Sequence, residues 1–66
     1  MNIKINGKEQ QILGFQTLKD IIISKGLDFK RVVVEYNYEI ISSDNWDNII
    51  LKDNDNIEIV NFVGGG

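Results

Sequence analysis

Residues 17–26, TLKDIIISKG, are the one stretch of this chain with helix signals at both ends. Thr17 suits an N-cap, and Asp20 three residues on approximates a capping box, with Asp where Glu or Gln is usual. Leu18, Ile21 and Ile22 follow at i, i+3 and i+4. Lys25 falls in the last turn, and Gly26 stands where a C′ residue turns left-handed. Three consecutive Ile favour a strand by propensity, but the spacing and the caps predict a helix of about two and a half turns. Everything around it reads as strand or turn. A single short helix among extended segments must cover one face of a sheet.

The segment before it opens with MNIKIN, in which Ile3 and Ile5 alternate with Asn2, Lys4 and Asn6 as in a half-buried strand. Asn6-Gly7 then signals a type I′ hairpin turn, and KEQQIL returns as a second strand, polar at its start and apolar at Ile12 and Leu13. After the helix, RVVVEYN is rich in β-branched residues. With Glu35 toward solvent, period two places Val32, Val34 and Tyr36 inside and Val33 outside. Asn37-Tyr38-Glu39 makes a turn into a short strand at Ile40-Ile41. SSDNWDN suits a brief 3₁₀ or irregular turn capped by Ser43 or Asp44, with Trp46 folding back onto the core. IIL is a short extended piece, KDND a turn in which Asn54 accepts a left-handed conformation, and NIEIVNF the last strand.

The right-handed crossover rule sets the last strand beside the first. The predicted fold is therefore α+β, a ubiquitin-like β-grasp: a mixed sheet of four to five strands with one main helix packed on one face. Residues 1–62 form that domain and residues 63–66, VGGG, a flexible glycine tail. No repeat or linker divides the 66 residues.

Composition removes most chemistry from the chain itself. There is no Cys and no His, so the thiol nucleophile, the commonest general base and most zinc sites are missing. A net charge of −3 with scattered Lys and Arg argues against nucleic acid. No apolar run approaches the ~20 residues of a membrane span, and MNIKING lacks the apolar core of a signal peptide, so no membrane partner and a cytoplasmic location are expected. DNDN from Asp53 lacks the Gly and closing Glu of a calcium loop, and Asp44, Asp47, Asp53 and Asp55 read as solvated turn residues. Gly7, Gly14 and Gly26 stand alone and form no phosphate-binding loop. No catalytic residue, metal site or bound cofactor is expected.

The terminal glycines remain. Glycine makes the thinnest possible chain, able to thread a narrow channel without side-chain clash. Gly64 and Gly65 would serve that passage. The α-carboxylate of Gly66, ionised at neutral pH with a reference pKa of about 3.5, would be the one reactive group. It can attack the α-phosphate of ATP only on a partner that supplies Mg²⁺ and positive charge.

Several segments together resemble one family: ING at residues 5–7, the TLKDIII helix, VVVEYNYEII from Val32 to Ile41, Trp46, LKDNDNIEIV from Leu51 to Val60, and the final Gly65-Gly66. In this order and total length the whole chain resembles the ThiS sulfur carrier proteins of thiamine biosynthesis. Asn54 departs from the Gly common in that family's Asp-Gly-Asp turn, and Gly64 adds a third terminal glycine. The resemblance implies that Gly66 is adenylated by an ATP- and Mg²⁺-using activating enzyme and converted to a thiocarboxylate. The sulfur would come ultimately from a cysteine desulfurase and pass to thiazole synthase for the thiazole of thiamine. The chain would then be a cosubstrate, a monomer when free, and no enzyme.

A carrier needs a docking face. With Glu58 outward, Val60 and Phe62 share its side of the last strand, and Val33 lies on the outer face of the strand expected to pair with it. Val33, Val60 and Phe62 are expected to form an exposed apolar patch leading to the tail, rimmed by Glu35 and Glu58, the alternative being that Phe62 folds over a sheet edge. Two alternatives stay open: the same chemistry serving molybdopterin or ubiquitin-like protein modification, and a non-covalent β-grasp interaction module with a passive tail.

Overall fold

The computed structural model describes residues 1–13 and 16–62. Residues 63–66, and with them the readings made on Gly64, Gly65 and Gly66, lie outside the described residues, as does Gly14. The chain runs through β1 (Asn2–Ile5), β2 (Lys8–Gln11), α1 (Leu18–Ser24), a 3₁₀ turn at Phe29–Arg31, β3 (Val32–Tyr36) and β4 (Glu39–Ile41). A second 3₁₀ segment at Ser43–Asn48 and β5 (Asn56–Asn61) complete it. The five strands form one mixed sheet in the order β2-β1-β5-β3-β4, with β1 and β5 parallel and the other neighbours antiparallel. The last strand lies beside the first, and α1 covers one face, in the β-grasp arrangement.

Local chemistry explains the elements. Asn6 and Gly7 have φ of 51° and 80°, the two positive values that a type I′ turn demands. Asn37 and Tyr38 repeat that pair at 48° and 73° between β3 and β4. At the head of α1 the capping box is complete: the Asp20 N–H donates to Thr17 Oγ1 at 3.2 Å and the Thr17 N–H to Asp20 Oδ2 at 3.0 Å. The helix spans seven residues, shorter than the spacing suggested, because Lys25 is already its C-cap and Gly26 leaves with φ 68°.

Leu18, Ile21 and Ile22 of α1 pack on Ile3, Ile5, Val32, Val34, Ile57 and Ile59 from the sheet. Trp46 closes the core from the second 3₁₀ segment. It is almost wholly buried, its indole N–H donates to the Ile41 carbonyl at 3.0 Å, and Phe29 meets it edge-on at 5.2 Å. That segment is capped by Ser42 and not by Ser43 or Asp44, and the Ser42 side chain makes no capping bond; Trp46 anchors the turn instead. Leu13, read as apolar strand, is exposed because β2 ends at Gln11. Among the described residues the piece at residues 49–51 pairs through one isolated bridge, Ile50 to Thr17.

Asp55 is a larger correction. The sequence pattern reads it as a solvated turn carboxylate, yet it is 4% exposed. It accepts the Tyr36 phenol at 2.6 Å, the Lys52 N–H at 2.7 Å and the Asn37 side-chain amide at 3.1 Å. Asp44, Asp47 and Asp53 are exposed as expected.

Candidate docking face and terminus

β5 is the central strand, and the sheet positions every candidate residue through it. Register pairs Val33 with Val60 and Glu35 with Glu58 across β3 and β5. Ile57 and Ile59 turn toward the helix and are buried, so Glu58 and Val60 face away from it with Val33 and Glu35. Val33 is half-buried and not open as expected, whereas Val60 is 51% exposed and Phe62, which follows β5, is 58% exposed. The Phe62 N–H still donates to the Arg31 carbonyl at 2.7 Å, holding the chain to the sheet as it nears the terminus.

Ile40 belongs to the same face and was missed. It pairs with Glu35 from β4 and is 72% exposed. The period of a two- or three-residue strand is too short to orient it; only its pairing partner does so. Glu58, Glu35 and Ile40 therefore lie in one row across β5, β3 and β4, with the Val33–Val60 pair in the neighbouring row of the same face. Like charges directly opposite on a sheet oppose pairing. The one ion pair among the described residues is elsewhere, an exposed Arg31–Asp28 contact at 3.6 Å.

Two networks hold β5 at its ends. At the start, Asp55 ties Tyr36 and Asn37 of the neighbouring hairpin to the strand, and the Asn56 N–H donates to Asn37 Oδ1 at 2.8 Å. Burial pushes the Asp55 carboxyl upward, but hydrogen bonds from Tyr36, Lys52 and Asn37 outweigh it and hold the group below its ordinary value. Burial, then the hydrogen bond to Asp55 and its charge, push the Tyr36 phenol up to about 12. This pair is a structural brace enclosed in the fold. Farther along, the Asn6 side chain grips Ile59 by two hydrogen bonds. Among the described residues no three acidic side chains converge in a manner that holds a metal ion.

Fold and site define a class: a ubiquitin-like β-grasp domain whose central strand carries an open apolar face toward a glycine-ended terminus. The model of the ThiS family matches residues 3–66. The sulfur carrier protein ThiS of Bacillus subtilis (strain 168) is 42% identical, with 97% of this chain and 98% of that protein aligned. The crystal structure of the thiamine biosynthesis protein ThiS from Geobacter metallireducens superposes with a TM-score of 0.82 at 29% identity, over all of both chains. Two proteins named thiazole synthase, from Paramagnetospirillum magneticum and Magnetococcus marinus, are 35% and 32% identical over the whole of this chain, which spans only 20% of their length. The chain belongs to the ThiS family.

Proposed function

We propose that this protein is a sulfur carrier of thiamine biosynthesis whose reactive group is the Gly66 carboxylate. The observation that carries the reading is the match of the family over residues 3–66, which runs through the terminal glycines. A carboxylate oxygen of Gly66 attacks the α-phosphorus of ATP on an activating enzyme that holds Mg²⁺, and pyrophosphate leaves. Sulfide-level sulfur, released from a cysteine desulfurase persulfide by a reducing thiol that is itself oxidised to a disulfide, then displaces AMP from the acyl carbon, leaving a thiocarboxylate. No Cys is present in the 66 residues, so this chain offers no thiol on which sulfur could ride as a persulfide. Gly64 and Gly65 supply the narrow lead into the enzyme, and Val33, Val60 and Phe62, flanked by Glu35 and Glu58, supply the surface on which it docks. The carrier acts as a monomeric cosubstrate in the cytoplasm, where ATP is available.

Thiazole synthase is the acceptor that this reading assigns. It is supported by the two thiazole synthases that contain, within one chain, a segment similar to all of this one. Intact mass after incubation with activating enzyme, ATP and a sulfur source tests the chemistry. One oxygen exchanged for sulfur at the terminus is expected, and deletion of Gly65-Gly66 abolishes it. An unchanged mass beside an active control carrier defeats the proposal. Thiazole formation reconstituted with the thiocarboxylate separates thiamine supply from molybdopterin or protein modification.

A further inference from the structure

The β1–β2 turn has a requirement that its backbone does not explain. Asn, Asp and Gly all serve a type I′ turn at the position of Asn6. Only Asn makes the contacts seen here. Its Nδ2 donates to the Ile59 carbonyl at 3.3 Å, and its Oδ1 accepts the Ile59 N–H at 2.7 Å. Its backbone N–H also donates to the Ile57 carbonyl at 2.9 Å. The paired register of β1 and β5 ends at Ile5 and Ile57, so the Asn6 carboxamide stands where the next β1 peptide group would be. It extends the parallel ladder after the backbone has turned away. Beyond Ile59, the described contacts hold the strand from the β3 side, ending at Phe62 on Arg31.

We infer that Asn6 is a positioning residue for the terminus. It fixes the course of β5 at Ile59 and so sets the direction in which the glycine-ended segment leaves the sheet, an inference that rests on the carrier reading above. Its side chain grips Ile59 within its own chain, and it lies outside the Val33–Val60–Phe62 patch. Its loss should therefore alter delivery of the terminus and leave docking intact.

Asn6→Gly keeps a turn residue and removes both side-chain bonds. Asn6→Asp keeps a turn residue but has no donor for the Ile59 carbonyl and sets a carboxylate oxygen against it. Adenylation kinetics are measured for wild type and both variants at a temperature where circular dichroism shows all three folded. The expected result is a fall in kcat of about tenfold in both variants, since a small misplacement at a reacting centre costs that much or more, with KM within about twofold. Amide exchange at Ile59 and Phe62 in the free carrier is expected to quicken in both, while Val34 in the adjacent core strand keeps its rank. Wild-type kcat in either variant, or a loss that falls on KM alone, overturns the assignment while the carrier reading stands. A wild-type chain that is not adenylated defeats the carrier reading and this inference with it.

Discussion

The Tyr36 phenol donates to the Asp55 carboxylate across 2.6 Å, linking the last residue of β3 to the residue just before β5. Asp55 also accepts from the Lys52 backbone and the Asn37 side chain, so a single buried carboxylate gathers three donors from two turns. Asp55→Ala strands all three. The expected cost is about 2–4 kcal/mol, read as a lowered urea midpoint with an unchanged slope.

The same pair sets two pH limits. The folded-state value of Asp55 lies below the ordinary 3.8. Its stabilisation is therefore complete above the unfolded value and is lost as pH falls through the folded one. Tyr36 is shifted from 10.0 to about 12, so its contribution is complete below the unfolded value and is lost as pH rises through the folded one. Urea titrations across pH should show both declines. Tyr36→Phe should remove the alkaline one and, by taking a donor from Asp55 and so bringing its folded-state value closer to the unfolded one, make the acid one smaller.

Tyr38 lies with φ 73° in the position that Gly7 fills in the first hairpin, and its side chain is 81% exposed. A bulky residue in the left-handed region is strained and here gains no burial in return. Tyr38→Gly relieves that strain, offset in part by the greater freedom of an unfolded glycine. The expected gain is about 0.5–1 kcal/mol, seen as a Tm higher by a few degrees.

Phe62 projects from the sheet close to the terminus without packing into the core. Phe62→Asp should leave the melting transition nearly unchanged and raise KM for the activating enzyme about tenfold or more, as for an exposed aromatic at the centre of an interface. Equal KM values for a folded variant and the wild type would remove this face from docking.

Features specified by neighbours in the chain were legible from sequence. The Asn6-Gly7 turn, the Thr17–Asp20 box and the alternation of β3 each depend on residues within a few positions. Features assembled from distant segments were not. Asp55 meets Tyr36 and Asn37 from 19 and 18 positions away, and Asn6 meets Ile59 from 53. A signal for Asp55 was nonetheless present, since period two carried back from Ile59 and Ile57 points residue 55 inward. The 3₁₀ turn at Phe29–Arg31 also had one: Asp28 precedes it and accepts the Lys30 N–H at 3.0 Å. Parity places Val33 and Val60 on one outer face, whereas their pairing and the place of Ile40 beside them need the observed register.

The sheet order has a consequence during synthesis. β5 follows the other four described strands in the chain, yet it alone joins the β1–β2 hairpin to the β3–β4 hairpin. A nascent chain can form the first hairpin and α1 but has nothing to join them to β3 and β4 until residues 56–61 emerge. Chains cut short before that point lack the strand that joins the two hairpins, and they are expected to stay open to proteolysis. Closure of this core is thus a report that synthesis has passed residue 56, the first of the strand on which both hairpins depend.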